Sequence, residues 1–161
     1  MSVNVRWILV NVRLVALMAL IVAGAGCSTF HRDWKAAAAR SPAAGSIEGA
    51  WTGTWLSHSN GHTGGLQAIV TKTPAGAYET RFHATFWKLF ASEYTVTLAA
   101  QPSGDGVKLR GREDLGRIFL CYKLGEFTYD GTATGGEFKC TYGSKRDGGV
   151  FQMTRPDRIA P

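Results

Sequence analysis

The side chains that could do chemistry are few and scattered. His58 and His62 flank Asn60-Gly61, and with Asp114 or Asp147 they have the donor types of a metal site. Histidines in a polar turn are far more often solvated than ligating, so no metal is expected. Glu113-Asp114 supplies two carboxylates, the raw material of a general acid and base. Adjacent residues at a strand end point to opposite sides, however, and a solvated turn is the simpler reading. Trp87 and Phe90 could form the lip of a ligand site or plug an interior, and Lys145-Arg146-Asp147 makes a short charged turn. There is no Gly-x-Ser-x-Gly elbow, His-Glu-x-x-His pair, phosphate loop or Cys-x-x-Cys. The chain therefore reads as non-catalytic and without a cofactor.

The formal net charge is +6, from 18 Lys and Arg against 12 Asp and Glu. No basic run exceeds Lys145-Arg146, and the basic residues neither cluster nor alternate with aromatics as a nucleic-acid face requires. No nucleic-acid partner is expected.

Of the three cysteines, Cys27 stands apart. Arg6 and Arg13 precede an uncharged stretch, Leu14 to Ala25, which has the length of a signal-peptide core and is too short to span a bilayer. It closes on Gly24-Ala25-Gly26-Cys27. Small residues before a cysteine resemble the lipobox of bacterial lipoproteins. Ala25, Gly26 and Cys27 match that pattern, while Gly24 stands where an aliphatic residue is usual. The resemblance implies a signal peptide over 1–26, a lipidated Cys27 and attachment to a membrane, with Ser28 favouring the periplasmic side of the outer membrane. Cys121 and Cys140 remain as an even pair, open to two readings, a disulfide or two buried thiols. Pairing strands about a turn near 131–134 sets Cys140 opposite 125–127, so a bond would need a bend near Gly125.

These residues must be positioned by something, and the pattern behind Cys27 says what. Residues 27–46 form a linker in which Phe30, Trp34 and Ala38 recur at helical spacing before Pro42 and Gly45. A short helix that covers a barrel mouth or lies on a membrane, and a frayed tether, both fit. From Ile47 the periodicity becomes two, in runs over about 47–57, 64–71, 77–86, 92–100, 106–112, 117–130, 134–142 and 148–155. Phe82, Ala84 and Phe86 alternate with Arg81, His83 and Thr85, the signature of half-buried antiparallel strands. Asn60-Gly61 and further Gly-rich turns join the runs as hairpins. Eight hairpin-linked strands without a crossover close most simply into an all-β, antiparallel up-and-down barrel over 47–156, with 157–161 as a tail.

Gly49-Ala50-Trp51, repeated as Gly53-Thr54-Trp55, resembles the Gly-X-Trp opening of the first strand in lipocalins and their avidin-sized calycin relatives. That resemblance implies a cationic side chain packed over the tryptophan, and Arg155 stands at the end of the eighth run. Strand pairing leads to the same place, because a closed barrel makes the first and last strands neighbours. The inward aromatics Trp51, Trp55, Tyr78, Phe82, Phe86, Tyr94, Phe127, Phe138 and Phe151 could line an apolar pocket or fill the interior, and so many large rings favour a mostly filled core. Alternating connections put His58, His62, Trp87, Phe90, Asp114, Lys145 and Arg146 at the end away from the linker, while the opposite turns are bland. Loops on a rigid scaffold are where binding residues gather. The sequence thus points to a lipid-anchored, non-catalytic module that binds a protein, glycan or small apolar ligand with its distal loops, or a structural envelope lipoprotein that docks an assembly.

Overall fold

A computed structural model describes residues 29–86, 90–118, 122–123 and 125–157. The chain divides into two compact units, Met1–Asp33 and Trp34–Pro161. Residues 29–38 are helical, so the Ala-rich linker is not a frayed tether. Pro42 and Gly45 follow the helix in irregular chain, Gly45 at a φ of 74°.

Eight strands close the barrel: β1 (Gly49–Ser57), β2 (Thr63–Lys72), β3 (Tyr78–Phe86), β4 (Phe90–Ser103), β5 (Gly106–Asp114), β8 (Glu126–Ala133), β9 (Glu137–Gly143) and β10 (Gly148–Thr154). Between β5 and β8, the short β6 (Arg117–Ile118) and β7 (Tyr122–Lys123) pair with each other in a separate two-stranded sheet. Every barrel neighbour is antiparallel and sequential, and the seam is closed by β1 against β10, with Trp55 opposite Phe151. This is the expected all-β up-and-down barrel.

Two expectations need correction. The run 117–130 is not one barrel strand. Its first part folds back on itself as β6 and β7, and Gly125, at a φ of 77°, turns the chain into β8. A left-handed backbone suits glycine and ends an extended run, so the expected bend near Gly125 falls at the boundary of β8. The register of the next hairpin also shifts. The turn falls at 134–136, with Thr134 N–H donating to Glu137 O, and Ala133 faces Phe138. Cys140 therefore lies opposite Gly131, not 125–127. Its thiol is free and buried, while Cys121 lies outside the described residues.

Period two decides the core. Trp51, Trp55, Phe82, Phe127, Phe138 and Phe151 belong to one buried cluster, with Tyr78, Phe86 and Tyr94 packed against it, as alternation requires. Phe138 meets Trp51 edge-on at 5.7 Å, and Phe82 meets Phe151 at 5.5 Å.

Candidate functional site

The two ends of the barrel are built differently. At the end where β1 begins, Trp51 is fully buried and its indole N–H donates to Ile47 O at 2.9 Å. Arg155 lies over that ring, its guanidinium carbon 3.8 Å from the centroid. The same guanidinium donates to four backbone carbonyls: Gly135 at 2.8 Å, Glu48 at 2.9 Å, Ala50 at 3.2 Å and Ser46 at 2.6 Å. Burial lowers its pKa, from a range so high that it stays charged at neutral pH. Trp34 adds a second indole, donating to Trp51 O at 2.9 Å. The expected contact between Arg155 and Trp51 is therefore present, and this end is closed.

The opposite end holds a cavity of about 100 Å³. Trp55, Phe86, Tyr94, Phe127, Tyr129, Tyr142 and Phe151 supply the rings that line it, with Leu66, Ala84 and Leu115 between them and Ser92 and Asp147 as the other polar groups. The filled core expected from so many rings is thus found in one half of the barrel and not in the other. Trp55 is held at the rim by its indole N–H, which donates to Thr85 O at 3.1 Å. Gly64 makes that possible. A Cβ there would sit 1.9 Å from Thr85 O and 2.7 Å from the indole nitrogen. The ladder between β2 and β3 stops at Leu66 and Ala84, and beyond it the Thr85 hydroxyl bonds the N–H and the carbonyl of Gly65. At this mouth two strands are joined by side chains instead of a ladder.

The cavity walls disfavour negative charge. Burial pushes the Tyr142 phenol up to about 12, with the Asp147 carboxylate adding to the shift. Burial, reinforced by neighbouring acidic groups, raises Tyr94 and Tyr129 further. Cys140, not itself a lining residue, has its thiol pushed up to about 12 by burial, against a hydrogen bond with the Asp130 backbone that lowers it. Among the described residues the Tyr142 hydroxyl is buried without a hydrogen-bond partner. Asp147 is anchored through one oxygen. Its Oδ1 accepts from the Ser57 hydroxyl at 2.6 Å and from Gly148 N–H at 2.9 Å. His58 N–H donates to Gly148 O at 2.8 Å, so the β1–β2 and β9–β10 turns are tied together at the mouth.

The distal residues named from sequence fare unequally. His58 and His62 are exposed in the β1–β2 turn, and among the described residues no group of three His, Cys, Asp or Glu is placed to hold a metal. Asp114 is exposed and accepts from Gly116 N–H at 2.9 Å, closing its own turn. Lys145 and Arg146 are exposed at the β9–β10 turn, and Phe90 is half exposed at the start of β4. Trp87 and Cys27 lie outside the described residues. None of the exposed distal residues lines the cavity. Tyr129 and Tyr142, which do, share alternating faces with Phe127 and Phe138 and could have been read from that pattern.

No family model, curated protein or solved structure matches this chain.

Proposed function

We propose that this chain is a lipid-anchored, non-catalytic binding module of the cell envelope, calycin-like in build, that holds a small, mostly apolar ligand at the barrel end away from its anchor. One observation carries the ligand reading: a ring-lined cavity at one end of a barrel whose other end is sealed by Trp34, Trp51 and Arg155. Concave sites lined by aromatic side chains with a few placed polar groups are the usual form of small-ligand sites. The cavity, about 100 Å³, is smaller than the roughly 150 Å³ that holds benzene in an apolar core, so it takes a small headgroup and excludes a long chain. The anchor rests on Gly24-Ala25-Gly26-Cys27 behind an apolar stretch of signal-peptide length.

A second reading, docking of a protein by the same rim, draws on the exposed ring of Phe90. The two separate on one variant. Ala84→Leu fills the cavity from a buried position without altering the rim. Titration of the lipidated protein with small neutral and charged probes, followed by tryptophan fluorescence, is expected to give saturable binding that Ala84→Leu abolishes. If no probe of any charge binds, or Ala84→Leu binds as well as the natural chain, the cavity is not a ligand site. Metabolic labelling with a fatty acid tests the anchor. Label is expected in the natural chain and not in Cys27→Ala, and the reverse or equal labelling removes the lipoprotein assignment.

A further inference from the structure

The rings around the cavity would accept many apolar groups, but its charges are one-sided. Asp147 is the one carboxylate among the described lining residues, and no Lys, Arg or His is among them. Its Oδ1 accepts two hydrogen bonds, and its Oδ2 accepts none from the described residues. No described cation forms an ion pair with it. Lys145 and Arg146 share its turn, but both are exposed and neither lines the cavity. The carboxylate is thus fixed in place with one oxygen uncommitted among the described residues, beside a space walled by electron-rich rings.

An anionic ligand would meet this carboxylate without a counter-charge. A neutral apolar ligand would leave the free carboxylate oxygen and the Tyr142 hydroxyl without partners as it displaced water, a cost that buried polar groups impose on any occupant that cannot bond them. A cation gains from both features. Aromatic rings attract cations through their quadrupoles, most strongly where water is excluded, and the carboxylate supplies the opposite charge.

Resting on the cavity reading above, we propose that the ligand is a small organic cation, an alkylammonium headgroup held among Trp55, Phe86, Tyr94, Phe127, Tyr129 and Tyr142 with Asp147 as its counter-charge. The space suits a headgroup of about five heavy atoms at most, below the six of benzene, which an apolar cavity of roughly 150 Å³ holds.

The test compares tetramethylammonium with neopentyl alcohol, an uncharged molecule of similar size, by calorimetry and tryptophan fluorescence on the lipidated protein. The cation is expected to bind at least roughly tenfold tighter than the alcohol, within the range of shielded cation–ring attraction. Asp147→Asn keeps an acceptor for Ser57 and Gly148 and removes the charge. It is expected to erase most of that preference, with melting confirming that the turn survives. Phe86→Leu, at the partly exposed rim, removes a ring and keeps apolarity, so it is expected to weaken the cation more than the alcohol. If the alcohol binds as tightly as the cation, or the preference survives Asp147→Asn, the cation assignment falls and the cavity reading stands. If neither binds, both fall.

Discussion

One end of this barrel spends its aromatic and charged groups on itself, and the other leaves them facing space. At the closed end, the Trp51 ring is covered by Arg155, its N–H is taken by Ile47 O and its carbonyl by Trp34. At the open end, Trp55 occupies the equivalent place one repeat later in the same strand. Its indole N–H is tied to Thr85 O, its ring meets Phe86 at 5.0 Å, and it borders a cavity. Two copies of one short motif thus meet different surroundings: Trp51 has a cation over its ring and the Trp34 indole on its carbonyl, and Trp55 borders a cavity. Under the proposed function, stability and recognition divide along the barrel axis, since the groups that cover Trp51 take no part in the cavity around Trp55.

That contrast breaks most sharply at the two tryptophans' surroundings. Trp51→Ala removes a fully buried ring from a packed layer and is expected to cost about 3–5 kcal/mol in urea unfolding. Truncation of Phe86 to Leu at the mouth should cost less than about 1.5 kcal/mol. Equal losses would mean that the open end carries as much of the fold as the closed one. Arg155→Met keeps the length over the indole but strips four carbonyls of their donor. A loss of about 2–3 kcal/mol is expected, because some of those carbonyls can turn to water. The cavity should be unaffected, so probe binding at a temperature well below melting should match that of the natural chain. Gly64→Ala acts at the other end. The new methyl group must displace Thr85 or the Trp55 indole, at about 1–2 kcal/mol. Its clearest readout is a shift in tryptophan emission and in probe affinity. A variant with unchanged emission would show that the rim does not depend on that close approach.

Titration sharpens the same division. The Tyr142 phenol has a folded pKa of about 12 against an ordinary value of 10.0. The neutral form is the one the fold favours, so this contribution is complete below pH 10.0 and is lost as the pH rises toward about 12. Absorbance of the phenolate should therefore lag in the folded protein and appear together with unfolding. Early, reversible ionisation without unfolding would place Tyr142 in water.

Much of the architecture was legible because it follows from spacing. Period-two alternation assigned the inward face of Trp51, Phe82 and Phe151, and closure of an eight-stranded sheet required Arg155 to approach Trp51. Residues 117–130 were misread because their alternating composition is also that of a short hairpin folding back outside the barrel. Only the backbone angle at Gly125 distinguishes the two. The position of Cys140 slipped because a hairpin register depends on which residues form the turn, and Gly131 to Gly136 offers several. The cavity was not legible, since the number of rings does not fix the space between them. Its polar members were half visible. Asp147 stood out as a charge, but that it is tethered by Ser57, from the far side of the sequence, depends on closure of the barrel.

The clamp of Arg155 also sets an order of events. Three of its four acceptors, in Ser46, Glu48 and Ala50, lie 105 to 109 residues earlier in the chain. Contacts across so long a loop are costly to form and slow to arrive, and this one needs residues made after the rest of the barrel. Until β10 reaches β1, Trp51 has neither its seam nor its cation, and β1 is an unpaired edge. The first strand must therefore wait, exposed, for the last. The growing chain keeps that edge open until β10 and Arg155 arrive, and their docking on β1 and on the carbonyls before it ends the exposure.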